Sequence, residues 1–164
     1  AGVKPPATNA TAITYAIWNP LGSGKNIVPL FTNLGFVDTT SAAGNIGLSY
    51  QTGMGAQVAT ASPVTAATLV APVNAFLGAG NASIAKFAPA TITFGAATTY
   101  LLTFGFSQLV TTAATTADVG WVWQYVYDGK LIVPPGTAIC LSGNTAPLSN
   151  LDITTFWAEI NISG

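Results

Sequence analysis

Four groups of residues in this chain could do chemistry. The first is Gly22-Ser23-Gly24-Lys25, which looks like the end of a phosphate-binding loop. That loop needs a glycine five residues before its last glycine and a Ser or Thr after the lysine. Asn19 and Asn26 stand in those places, and no long helix follows to aim its amides at phosphate. The spacing predicts a turn with a solvated Lys25. The second is Cys140, inside the apolar run AICLS. The chain has no histidine, so no Cys-His pair can form, and a small buried hydrophobe is the expected role. The third is the set of acids Asp38, Asp118, Asp128, Asp152 and Glu159. None has a local acidic partner, so carboxylate-pair hydrolysis would need two of them to meet through the fold. The spaced oxygen ligands or Cys/His clusters of a metal site are missing. No cofactor is expected, and an enzyme is not.

The fourth group is aromatic. Trp121, Trp123, Tyr125 and Tyr127 alternate with Val122, Gln124 and Val126, so a strand would put all four rings on one face. That face suits a sandwich core or a subunit interface, where large rings bury much area. A platform for stacking on sugars is the alternative, and with it a carbohydrate- or receptor-binding module of a virion tail or cell surface.

The elements that must position these residues are strands. Period-two alternation bounded by turn residues dominates. Residues 11–19 put Ile13, Tyr15 and Ile17 on one side. Residues 26–38 read as one or two strands, with Pro29 at an edge or bulge because it cannot donate to a ladder. An irregular strand surrounds Leu48 and Tyr50. Further strands are expected at 90–95, 98–111, 119–127, 130–133, 137–142 and 151–162. Asp128-Gly129 signals a hairpin between 119–127 and 130–133, and Pro135-Gly136 a type II turn. Residues 61–89 read as a long ordered loop, with a short helical turn near Val73–Leu77. About eight strands, little helix and no internal repeat predict an all-β, two-sheet β-sandwich of jelly-roll type. Residues 1–10 form an N-terminal arm and 11–164 a single domain.

Composition narrows the function. Four lysines, no arginine and five acids leave nine charges in 164 residues, against about a quarter charged in an ordinary soluble domain. Nucleic-acid binding needs a basic field that is missing here. General acid–base catalysis at neutral pH most often uses histidine. The charge-free stretch from Phe87 to Ala117 is long enough for a bilayer, yet Pro89, Gly95, Gly105, Gln108 and many Thr argue against a membrane helix. A net charge of −1 leaves little long-range repulsion between copies. The expected surface is apolar and amide-lined, suited to contact with other proteins.

Three segments, AIWNPLGSGKNIVPL at 16–30, PVNAFLGAGNASIAKF at 72–87 and YDGKLIVPPGTAICL at 127–141, followed by FWAEI at 156–160, resemble together the virion structural proteins of tailed bacteriophages. The likeness is to the small jelly-roll cement (decoration) proteins of short-tailed phages in particular. The resemblance implies a homotrimer on the outer capsid surface, made in the host cytoplasm, with itself and the major capsid protein as partners. Neither nucleic acid nor membrane is an expected partner. It carries no catalytic residues. The expected contacts are in the arm, at Lys4, Pro5 and Pro6, and in the long loop, at Pro72, Val73, Phe76 and Leu77, because arms and long loops are where contacts outside a domain are made.

Overall fold

The computed structural model describes residues 12–13, 15–36, 46–52, 72–75, 78, 82–88, 92–94, 96–104, 122–143 and 151–162. Every strand pairing among them is antiparallel. The strands are β1 (Ala12–Ile13), β2 (Ala16–Asn19), β3 (Lys25–Phe36), β4 (Ile46–Gln51), β5 (Lys86–Ala88), β6 (Ile92–Thr93), β7 (Thr99–Thr103), β8 (Val122–Val126), β9 (Thr137–Gly143) and β10 (Leu151–Asn161). Eight of them form two sheets, ordered β10-β3-β8 and β5-β2-β9-β4-β7, and β1 pairs with β6. The fold is an all-β two-sheet sandwich. Three pairs nest, β4–β7 within β3–β8 within β2–β9, as in a rolled-up hairpin, and β4–β9 closes the larger sheet. That connectivity is of jelly-roll type. β10 and β5 extend the two sheets at their edges.

Alternation builds the core between the sheets. Ile27, Leu34 and Leu151 of the smaller sheet face Ile17, Ile46, Leu48, Ile139 and Leu141 of the larger one. The next residues along, Ala16, Ala138 and Cys140, point to the far side of the larger sheet and join Ile13 and Phe94 in a second buried cluster. This splits the expected 11–19 strand. Ile13 belongs to the outer cluster while Tyr15 and Ile17 belong to the main core, because the chain breaks its pleat between β1 and β2. All seven residues of β9 are buried, so both faces of the larger sheet are covered at β9, while β7 leaves Thr99, Leu101 and Thr103 exposed.

β3 is one strand with a bulge. Phe156 pairs with Phe31 but Trp157 pairs with Pro29, leaving Leu30 as the extra residue. The irregularity falls beside the proline that cannot donate. Two expectations about this region need correction. Asp128 (φ 54°) and Gly129 (φ 68°) do make a tight turn, closed by Lys130 N–H donating to Tyr127 O at 3.0 Å. It does not start a hairpin. Tyr127 N–H donates to Leu30 O at 2.9 Å, and Val133 then bridges Ile27. The chain therefore resumes alongside β3 in its former direction, and 130–132 form no strand. The long-range pull of Ile27 on Val133 overrides the local signal. Likewise, the end of the expected 61–89 loop is strand β5, held by β2, and Pro72–Ala75 are not helical. Pro135-Gly136 behaves as its sequence demands, with φ 77° at the glycine and Thr137 N–H donating to Pro134 O at 3.2 Å.

Candidate functional site

The outer face of the three-stranded sheet is built by register. Its central row runs Phe156–Phe31–Val126 across β10, β3 and β8, and the two phenyl rings stack at 4.6 Å. The next row is Thr154–Asn33–Gln124, in which the Gln124 amide donates to Asn33 Oδ1 at 3.0 Å. Beyond it, Gly35 separates Asp152 from Val122. Val122 is 76% exposed, Val126 57% and Ile160 53%. Asp152 is the one ionic side chain that the register puts among these rows. The face is thus apolar and amide-lined, with Val122, Val126, Phe156 and Ile160 exposed.

A second feature lies where the edge strands β5 and β10 come together. A cleft of about 770 Å³ runs along Ile153–Trp157 of β10, with Tyr15 and Phe87 on one wall and Pro72–Ala75 on another. Tyr15 and Phe87 meet edge to face at 5.0 Å. The cleft ends in a polar knot. Lys25 Nζ lies 3.3 Å from Glu159 Oε2 with its side chain 34% exposed, so Lys25 is partly solvated, as the sequence predicts, and also ion-paired, which the sequence does not predict. Glu159 also accepts hydrogen bonds from Ser83 Oγ, from Ile84 N–H at 2.9 Å and from Ala85 N–H at 3.4 Å. Partial burial opposes its charge, but the bonds from Ser83, Ala85, Lys25 and Ile84 prevail and hold its carboxyl below the usual range. Both charges are therefore spoken for, and the knot presents no net charge.

Behind the cleft, four hydroxyls form a chain into the core. Tyr15 donates to Thr155 Oγ1 at 2.8 Å, Thr155 meets Thr32 at 2.9 Å, and Thr32 meets Tyr127 at 2.9 Å. Burial drives the Tyr15 hydroxyl well above its ordinary value and pushes Tyr127 up to about 12. Both stay protonated; Tyr15 links the start of β2 to β10 of the other sheet, and Tyr127 ties the end of β8 to β3 within the smaller sheet.

The expected site residues divide. Pro72 and Val73 line the cleft, Val73 being 84% exposed. Lys4, Pro5, Pro6, Phe76, Leu77 and Trp121 lie outside the described residues. Trp123 and Tyr125 pack half-buried on the main core, and Tyr127 is buried in it. Tyr125 sits 4.7 Å from Phe104 and 5.1 Å from Tyr127. The aromatic face thus looks inward, and these three rings offer no outward stacking platform. The outward face of β8 is the valine–glutamine side. Cys140 is buried, 3.3 Å from Ser49 Oγ. Burial outweighs that hydrogen bond and pushes its thiol up to about 12, far from a reactive thiolate. No group of three metal-ligating side chains occurs among the described residues, and no helix among them is long and apolar enough to cross a membrane.

Phe156 shares one side of the expected 151–162 strand with Ala158, Ile160 and Ile162, but its stacking on Phe31 is not legible in the sequence, because the two lie 125 residues apart and each looks like an ordinary strand residue. The outward step of the pleat after Leu30 was the only signal that could have found the row. Comparison with protein-family models, curated proteins and solved structures found no match in any of the three.

Proposed function

We propose that this protein is a structural subunit of a phage particle, an outer-surface capsid cement (decoration) protein. It would act as a trimer that stabilises the shell by bridging neighbouring capsid subunits. The observation that carries the reading is the Phe156–Phe31–Val126 row, exposed at Phe156 and Val126, on a chain with nine charges. A lone sandwich leaves that face in water, and symmetric closure with other copies removes it. A second contact to the shell, repeated over three copies, would then add by multivalency rather than by any one strong bond. The role uses no titrating side chain, which agrees with a chain whose Cys140, Tyr15 and Tyr127 are all held neutral by burial.

Two measurements test it. Sedimentation equilibrium of the purified protein is expected to give three times the chain mass, and the Val122→Lys/Val126→Lys double variant is expected to give a single copy. Phage shells heated with the wild-type protein should rupture at a higher temperature than shells alone. A single-copy mass at every concentration, together with unchanged rupture, overturns the reading.

A further inference from the structure

Among the described residues β10 is an edge strand of eleven residues. β10 pairs with β3 on one side, and no described strand pairs with the other. Natural edges are blunted by shortness, proline, lysine or an inward charge, because a long bare edge is a template for another strand. β10 has no proline and no lysine, and its two acids lie towards the ends, with Glu159 consumed in the polar knot. Residues 153–158 are uncharged.

Beside that edge lies the cleft, and five consecutive β10 residues, Ile153–Trp157, line it. Five residues of antiparallel strand cover roughly 17 Å at about 3.4 Å each, close to the usual strand length of about five residues. The cleft's charged groups, Lys25 and Glu159, cancel each other, so a charged occupant would find no partner and lose its water. The fitting occupant is an uncharged extended segment that hydrogen-bonds to β10 and sends alternate side chains into the cleft.

We infer that β10 and this cleft accept a strand from a second copy of the same chain. The inference rests on the self-association proposed above and names a contact through the β10 edge and the Pro72–Ala75 wall, which adjoins the sheet face at Thr154 and Phe156. Charge matching supports the choice of occupant: residues 39–85 contain no ionic side chain, so a second copy brings long neutral stretches to a neutral groove. Three-fold closure is compatible, because strand addition is head-to-tail and such contacts close into rings.

The test compares wild type, Val73→Lys and Val122→Lys/Val126→Lys by sedimentation velocity, with hydrogen exchange of β10 at low and high protein concentration. Val73 lines the cleft, is 84% exposed and lies off the sheet face, so lysine there charges the groove without entering the core or the Phe156–Phe31–Val126 row. The expected result is at least tenfold slower β10 exchange in the assembled wild type, and at least tenfold weaker association of Val73→Lys with native near-UV dichroism. Should that variant misfold, Ala75→Lys, also exposed in the cleft wall, repeats the block, and the wild-type exchange stands without any variant. Assembly with unchanged β10 exchange, or wild-type assembly of Val73→Lys, overturns this inference and leaves the proposed function intact. Slowing of β10 only when capsid shells are added replaces the second copy by a capsid segment and also overturns it. A single copy under all conditions overturns both readings.

Discussion

Asn19 shows how one side chain can hold a corner of the sandwich. It is fully buried, and its amide donates to Lys25 O and Val133 O, each at 2.8 Å. Its main-chain carbonyl accepts from Gly136 N–H at 2.8 Å. The Pro20–Lys25 turn, the Val133 bridge and the Pro135-Gly136 turn thus meet on one residue. Asn19→Ala would remove one of two donors at each carbonyl, since Lys25 O keeps Ser23 Oγ and Val133 O keeps Ile27 N–H; two hydrogen bonds at about 0.5–1.5 kcal/mol each give a loss of about 1–3 kcal/mol, read as a lower urea midpoint. Glu159 makes a pH prediction. Its carboxyl is held below the ordinary range in the folded state, so the unfolded chain binds the proton more readily. Its contribution is complete above the unfolded value of ~4.3 and is lost as pH falls through the lower folded value. Urea midpoints of wild type should drop between pH 5 and pH 3, and Glu159→Gln should be weaker at pH 7 with a flatter acid limb. Asn19 was visible in the sequence only as a failed phosphate-loop position. Its role depends on Val133, 114 residues away.

At the scale of elements, tight turns obeyed their residues and strand partners did not. Gly22, Gly24, Gly129 and Gly136 all take positive φ, as their turn contexts require. Gly129 has open space around it, so Gly129→Ala isolates the backbone term. The expected loss is about 1–2 kcal/mol, measured by chemical denaturation with the association state unchanged. Gly47 is the opposite case. A Cβ there would strike the Tyr100 hydroxyl and the Leu102 carbonyl, so the requirement is close approach of β7 and not torsion. Nothing around Gly47 in sequence announces this, because Tyr100 arrives from the neighbouring strand. The Asp128-Gly129 turn makes the same point. Its dihedrals follow from its two residues, but whether the chain reverses or continues depends on where Ile27 stands.

For the whole molecule, scarcity of charge sets the behaviour. Contacts between uncharged faces are not screened by salt, whereas ion pairs at a surface lose strength once the Debye length shrinks to a few ångströms. The self-association proposed above should therefore be as tight in 1 M sodium chloride as in 0.05 M, or tighter. A tenfold weakening by salt in sedimentation velocity would point to ionic contacts instead. The same scarcity makes the Lys25–Glu159 pair conspicuous. It joins residues 134 apart and seals the end of the cleft between the two edge strands.

The class of the fold and the places of its turns were decided by the sequence itself, because side-chain alternation, proline and glycine act within a few residues. Neutrality was decided there too, as a matter of composition. The tertiary structure alone decided which face of β8 looks inward, that Phe31 stacks on Phe156, that Lys25 finds Glu159, and that β10 pairs with β3 alone among the described strands. Each of these depends on which distant strands become neighbours, and that choice is made by burying the whole core at once, a quantity no short stretch of chain contains.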